Sequence, residues 1–132
     1  MRHITEIIIY CSATPEGRPF TADDIGRWHR ARGWKGIGYH YVILLDGTVQ
    51  PGRPLDQPGA HCQGHNAHSI GICYIGGLSR DGHPRDTRTP AQKQALRSLV
   101  ARLRESFPHA TLHGHNAFSS KACPSFRVPE EL

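Results

Sequence analysis

The sequence predicts an α/β domain in which helices pack on one sheet. Segments rich in β-branched residues alternate along the chain with segments of helical periodicity, and no linker, repeat or low-complexity stretch separates them. The length of 132 residues and the 37% hydrophobic content suit one globular domain with its own core. We therefore treat residues 1–132 as a single domain.

The first two elements are a buried strand and a capped helix. Residues 4–11, ITEIIIYC, carry apolar side chains on both faces, which is typical of an internal strand. Thr21 is the expected N-cap of the helix, because Asp23 and Asp24 follow in the first turn, where the helix dipole favours carboxylates. Gly33 marks the end of this helix.

The middle of the chain predicts a hairpin and a second buried strand. Asp46-Gly47 is a two-residue turn signal inside YHYVILLDGTVQPG. Residues 51–68 are rich in Gly, Pro and His and predict a loop, and SIGICYIGG, residues 69–77, predicts a buried strand. Residues 78–88 predict a second exposed loop.

The last third predicts a helix followed by a short strand. Thr89 and Gln92 form a capping-box pattern, with Pro90 at the first helical position. Apolar residues follow at helical spacing, so one face of the helix packs on the sheet: Leu96, Leu99, Val100, Leu103 and Phe107. ATLHG, residues 110–114, predicts the last strand.

The composition limits the classes of partner. Sixteen basic residues against 11 acidic residues give a net charge of +5, which fits either an anionic partner or a solvated basic surface. No basic block is interleaved with aromatic residues, and no apolar segment is long enough to span a bilayer, so neither nucleic-acid binding nor membrane insertion is expected. The apolar run 7–9 is too short for a secretory signal, so we expect cytoplasmic synthesis, with the four cysteines mostly reduced.

The segment HGHNAFSSKACPSF, residues 113–126, carries the strongest chemical signal. His115 and Cys123 are joined by a loop, and imidazole with thiolate suits zinc. Lys121 would bring a positive charge that can stabilise an oxyanion. The same pair also fits a Cys/His nucleophile, although no orienting group is obvious, or a buried structural cysteine near a surface histidine.

Two further regions offer candidate residues. The loop GAHCQGHNAHS contains His61, His65 and His68, and a solvated polar loop is favoured there over a metal site. Asn66 in this loop can hydrogen-bond an amide-rich ligand. Tyr39 is either a core aromatic residue or a hydroxyl aimed at the site.

Several motifs together resemble one family, the zinc N-acetylmuramoyl-L-alanine amidases of the phage T7 lysozyme and peptidoglycan-recognition-protein type. The resemblance covers about residue 4 to residue 126, and its motifs occur in the expected order: YCSATP, GWKGIGYHYVILLDGTVQPGR, GAHCQGHNAHSIGICYIGG, TPAQKQALRSLV and GHNAFSSKACPSF. It implies a central, mixed, mainly five-stranded sheet with flanking helices. It also implies a monomeric enzyme that acts on the cell wall after release and cleaves the amide between N-acetylmuramic acid and L-alanine of the stem peptide.

The resemblance also assigns roles to residues. It implies one zinc ion bound by two histidines and a cysteine, of which the second histidine matches His115 and the cysteine matches Cys123. Tyr39 and Lys121 match the catalytic positions. The positions that line the groove for peptidoglycan or muropeptides match His61 and Asn66.

One position departs from the family pattern. The first zinc histidine belongs to a His-Cys-Ser-Ala-Thr motif, and Tyr10 stands there in this sequence. A phenol has an ordinary pKa near 10 and must ionise to bind a metal well. Three hypotheses follow: a zinc amidase impaired at Tyr10, a peptidoglycan-binding module without turnover, and a thiol hydrolase that uses Cys123 and His115. A smaller departure is GHNA, where Asn116 and Ala117 replace an Arg/Asp pair.

Overall fold

The computed structural model, which describes residues 2–128, contains a five-stranded mixed sheet between two helices. The strands are β1 Glu6–Cys11, β2 Thr14–Pro15, β3 Tyr41–Ile43, β4 Val49–Pro51, β5 Ser69–Tyr74, β6 Gly77–Leu78 and β7 Thr111–Gly114; the α-helices are α1 Ala22–Ala31 and α2 Pro90–Ser106. The strand order of the five-stranded sheet is β4-β3-β5-β1-β7, with β3 and β4 antiparallel and the other neighbours parallel. This architecture confirms the α/β fold expected from the sequence.

The two helices cover opposite faces of the sheet because the side chains of β1 alternate. Ile7 and Ile9 face one apolar cluster, which holds the buried residues of α2. Ile8 and Tyr10 face the other cluster, which holds Ile25 of α1. All four are at most 2% exposed, so β1 is the buried centre of a three-layer structure.

Both helices begin where the capping signals place them. The side chain of Thr21 accepts a hydrogen bond from the backbone of Asp24, and the carboxylate of Asp24 accepts one from the backbone of Thr21. Thr89 and Gln92 form the same reciprocal pair at the start of α2. Such caps satisfy backbone donors that have no partner within the helix.

A second, two-stranded sheet was not predicted. Thr14 of β2 lies between β1 and α1, and it pairs with Gly77 of β6. The contact is reinforced next to the strands, where the hydroxyl of Ser12 accepts a hydrogen bond from the backbone of Gly76 at 2.8 Å. Two strands are also shorter than predicted. The strand expected at 4–11 begins at Glu6, and the strand expected at 69–77 ends at Tyr74.

The topology sets the position of the functional residues. Strand β1 lies between the parallel strands β5 and β7, so its carboxyl end opens beside theirs. Ligands of α/β sheets commonly bind at such an edge. Tyr10 and Cys11 end β1, and His115 follows β7 directly. None of the helices within residues 2–128 has the length and apolar character needed to cross a bilayer.

Candidate functional site

A cavity of about 330 Å³ opens at the carboxyl end of β1. The family resemblance assigned site positions to seven residues, and six of them line this cavity: Tyr10, Tyr39, His61, His115, Lys121 and Cys123. They come from strand β1, from the segments around residues 39 and 61, and from the segment after β7. The fold therefore brings together residues that lie more than a hundred positions apart in the chain.

The side chain of Tyr10 is at the base of the cavity and only 2% exposed. Its hydroxyl oxygen is 2.6 Å from Nδ1 of His61. Its ring also packs against the rings of Tyr39 and His115, with centroids 5.0 and 4.8 Å away. Burial raises the pKa of the Tyr10 phenol far above its usual value, so the group is neutral at physiological pH.

The neighbouring hydrogen bonds fix the direction of the Tyr10–His61 bond. Ser69 donates its hydroxyl hydrogen to the carbonyl of His65 at 2.6 Å, which leaves the Ser69 oxygen as an acceptor for Nε2 of His61 at 3.4 Å. Burial lowers the pKa of His61 to about 3, so its ring is neutral and carries only one proton. With that proton on Nε2, Nδ1 accepts and Tyr10 donates.

Cys123 is held against the end of β1. Its sulfur accepts a hydrogen bond from the backbone N–H of Cys11 at 3.2 Å and lies 3.8 Å from the carbonyl oxygen of the same residue. The adjacent Cys11 thiol and burial raise the pKa of Cys123 well above its usual value. A nucleophilic cysteine needs a lowered pKa, so this environment opposes the thiol-hydrolase hypothesis.

Two of the three expected metal positions suit a zinc ion, and the third does not. Burial, and then the charge of Lys121, lower the pKa of His115 and favour the neutral imidazole that metals bind. The raised pKa keeps the Cys123 thiol protonated without metal, and the charge of a bound ion would remove that proton. The backbone N–H of Cys11 would then support the thiolate. Tyr10, in contrast, presents a neutral phenol whose proton is donated to His61. The residues present therefore do not form the His₂Cys set of the family.

Tyr39 and Lys121 occupy different depths of the cavity. Burial raises the pKa of Tyr39 well above its usual value, so its hydroxyl is protonated and suited to donate a hydrogen bond rather than to act as a base. Lys121 is exposed, so it lines the cavity at the solvent side.

Asn66, the seventh residue, lies outside the lining of this cavity. Its side-chain oxygen accepts hydrogen bonds from the backbone N–H groups of His61 and Cys62, both at 2.9 Å. It thus shapes the loop that presents His61. Asn116, at the position of the family's arginine, donates to the carbonyl of Phe126 at 3.2 Å and holds the segment after β7.

One wall of the cavity was missed by the sequence analysis. It is formed at the end of α1 and in the following turn by Trp28, His29, Arg32 and Trp34. Trp28 and Trp34 are 36% and 37% exposed, which is unusual for tryptophan and typical of a ligand-contacting surface. Nδ1 of His29 accepts the backbone N–H of Gly38 at 2.9 Å, and this bond fixes the chain just before Tyr39.

Comparison with known proteins agrees with this geometry. Residues 2–126 match the family model described as N-acetylmuramoyl-L-alanine amidase. The chain is 43% identical to the endolysin of Klebsiella phage KP32 over 92% of its length and 81% of that protein, and 42% identical to the endolysin of Escherichia phage T7 over 91% and 80%.

Solved structures extend the comparison. The amidase LysC from Clostridium intestinale URNW superposes with a TM-score of 0.84 at 30% identity, over 98% of this chain and 82% of that one. A structure of tracheal cytotoxin bound to the ectodomain complex of peptidoglycan recognition proteins LCa and LCx superposes with a TM-score of 0.77 at 28% identity, over 94% and 77%. The chain belongs to the N-acetylmuramoyl-L-alanine amidase family and is an amidase similar to the phage endolysins.

Proposed function

We propose that this chain hydrolyses peptidoglycan at the amide between N-acetylmuramic acid and L-alanine of the stem peptide, in a zinc-dependent reaction that Tyr10 slows. The observation that carries the proposal is the convergence of His115, Cys123, Tyr39 and Lys121 on one cavity in a member of the amidase family. We further propose that the chain is a monomer. We also propose that it acts on the cell wall after release, as the name of its endolysin relatives suggests.

The residues of the cavity suit recognition of an amide. Lys121 at the rim would place a positive charge beside the scissile carbonyl and stabilise the oxyanion that develops there. The protonated hydroxyl of Tyr39 would orient the amide or its attacking water through a hydrogen bond. The exposed rings of Trp28 and Trp34 would bind the sugar and peptide surfaces next to the cleaved bond.

A zinc ion would be held by His115 and Cys123 and, when bound, would polarise the scissile carbonyl. Tyr10 is a poor third ligand for two reasons. Its phenol would have to ionise against the raised pKa, and it would have to give up the hydrogen bond to His61. The expected result is a lower affinity for zinc than a histidine at position 10 would give.

The test is the variant Tyr10→His, with Tyr10→His/Cys123→Ser as a matched control that removes a second proposed ligand. We expect Tyr10→His to bind zinc at least about tenfold more tightly than the parent chain. Mutating residues that merely support a metal ligand already changes metal affinity by about tenfold or more. It should also clear purified cell walls faster in a turbidity assay. The double variant should lose both gains.

Equal zinc affinity and equal lysis rates in Tyr10→His and the parent chain would contradict the proposed impairment. Mass spectrometry of the products checks the bond that is cleaved. Free stem peptides beginning with L-alanine are expected, and products cut between sugars would refute the amide assignment.

A second candidate function is a peptidoglycan-binding module without turnover. The observation that favours it is the Tyr10–His61 hydrogen bond, which engages the side chain at the position of the first expected metal ligand. The cavity wall formed by Trp28 and Trp34 does not involve this bond and stays available for binding. The peptidoglycan recognition proteins LCa and LCx, whose ectodomain complex was solved with tracheal cytotoxin bound, share this fold, which supports the candidate. Two measurements distinguish the two functions. Calorimetry with a muramoyl tripeptide in the presence of chelator measures binding, and product analysis after zinc is added in place of chelator measures release of stem peptide. Binding without any release supports the module alone.

A further inference from the structure

We propose a second metal site, for a divalent transition ion such as Zn²⁺, formed by Glu6, His65 and His68. The cluster involves the first residue of β1, whereas the amidase cavity lies at the carboxyl end of that strand. Along β1, Glu6 precedes Tyr10 by four residues, or about 13 Å at the rise of a parallel strand. The proposal therefore does not depend on the metal centre of the cavity.

The three side chains converge on one point. A carboxylate oxygen of Glu6 lies 2.8 Å from Nδ1 of His65 and 3.0 Å from Nε2 of His68. One ligand atom from each residue lies within 4.8 Å of the other two. Two imidazoles and a carboxylate bind zinc in many hydrolases. Ligand atoms about 2.0 Å from a tetrahedral zinc lie roughly 3.3 Å from one another, so the Glu6 oxygen would move slightly away from both nitrogens to admit an ion.

The backbone around these ligands is already fixed. Ser69 donates its hydroxyl hydrogen to the carbonyl of His65, and the carbonyl of His68 accepts the backbone N–H of Thr5 at 2.8 Å. Glu6 is in register with Ser69 on one side and with Thr111 on the other. The site thus requires little ordering of the chain when a metal binds, which favours affinity.

The surroundings suit a bound cation with open coordination positions. Phe118 covers one side, with its ring centroid 4.1 Å from that of His65 and 5.2 Å from that of His113. Nε2 of His113 lies 3.9 Å from the other carboxylate oxygen of Glu6 and is a candidate fourth ligand. His65 and His68 are partly exposed, so an ion can enter from solvent.

The ligand types select the class of ion. Imidazole nitrogen favours Zn²⁺, Co²⁺, Ni²⁺ or Cu²⁺, while Ca²⁺ and Mg²⁺ prefer sites built of oxygen ligands. An ion here would tie the loop of His65 and His68 to β1. That loop also carries His61, the partner of Tyr10 in the amidase cavity. The expected role is therefore to fix the loop from outside the cavity.

The test uses the full chain carrying Cys123→Ser, which removes the thiolate of the cavity and leaves the second cluster intact. Zn²⁺ is titrated into this protein by calorimetry, and Glu6→Gln and His68→Gln are then introduced separately. His83→Gln is the matched control, because His83 is also a histidine beside a carboxylate, 3.7 Å from Asp81, but is highly exposed and lies outside the cluster.

We expect one Zn²⁺ per chain in the Cys123→Ser background, and a loss of affinity of at least about tenfold in each cluster variant, as for ligand changes in other metal sites. The chain carrying Cys123→Ser and His83→Gln should bind Zn²⁺ with the same affinity as the chain carrying Cys123→Ser alone. Imidazole ¹⁵N resonances of His65 and His68 should shift on zinc addition. Unchanged affinity in both cluster variants, or no saturable binding at about 100 μM zinc, would overturn the proposal. Circular dichroism checks folding, and His68→Gln, in the partly exposed loop, decides the result if Glu6→Gln does not fold.

Discussion

Acidification should destabilise the fold through His29. This residue of α1 is only 7% exposed, and its Nδ1 accepts the backbone N–H of Gly38. Burial, and then the charges of Arg32 and Arg53, lower the pKa of His29 to about 4. The neutral imidazole is therefore part of the folded structure, whereas the unfolded chain protonates it at an ordinary pKa near 6.5.

The sign and size of the effect follow from these two pKa values. Between pH 6.5 and pH 4 the unfolded chain binds more protons at this position than the folded chain does, so the free energy of unfolding falls as the pH falls. The contribution of His29 is fully present above about pH 6.5. At pH 5 the loss reaches about 2 kcal/mol for this one histidine, at up to about 1.4 kcal/mol per pH unit.

Urea unfolding at about pH 7.5 and about pH 5 measures this effect in the parent chain, in His29→Gln and in the control His83→Gln. The glutamine oxygen can still accept the N–H of Gly38 but does not titrate. We expect the pH-dependent loss of stability to be smaller by about 2 kcal/mol in His29→Gln and unchanged in His83→Gln. The same loss in all three proteins would refute the assignment of a neutral, buried His29.

Two further predictions concern buried hydrogen bonds. Tyr10→Phe removes the donor to His61 and should lower the free energy of unfolding by about 1–2 kcal/mol in urea titrations, and an unchanged value would mean that this bond contributes nothing to stability. Gln92→Leu removes a buried amide that donates to the carbonyls of Ile43 and Ile75. It should cost about 2–3 kcal/mol, measured by thermal unfolding against the exposed control Gln94→Leu, and equal melting temperatures of the two variants would contradict this.

The elements that could be predicted from the sequence are those that local interactions determine. The N-cap expected at Thr21 and the capping box expected at Thr89 and Gln92 depend only on residues within three positions, and both identified the helix starts correctly. The pairing of β2 with β6 joins Thr14 to Gly77, and two-residue strands leave no periodicity to detect. The central five-stranded sheet was expected from the family resemblance, because periodicity alone does not give a strand order.

The candidate site shows the same limit. His115, Lys121 and Cys123 lie in one short motif, so their proximity in the cavity could be expected from the sequence. The hydrogen bond from Tyr10 to His61 joins residues 51 positions apart and depends on the rotamers of both side chains, so no sequence pattern indicated it. Asn66 was expected to contact a ligand, but its side-chain oxygen accepts hydrogen bonds from the backbone N–H groups of His61 and Cys62. These contacts depend on the folded conformation of the loop, so no sequence pattern indicated them.

The structure separates the effect of Tyr10 on folding from its effect on chemistry. A phenol fills the apolar cluster with Ile8 and Ile25, and its hydroxyl finds a partner in His61, so the chain folds with tyrosine at position 10. The metal centre, in contrast, needs a strong donor atom at that point, such as the free nitrogen of a neutral imidazole, and a phenol oxygen that keeps its proton is a weak ligand. If the cluster at Glu6 also binds zinc, the purified chain will contain metal whether or not the cavity does. Total zinc content therefore cannot report on the amidase centre, and only the change produced by Tyr10→His or Cys123→Ser can assign the ion to it.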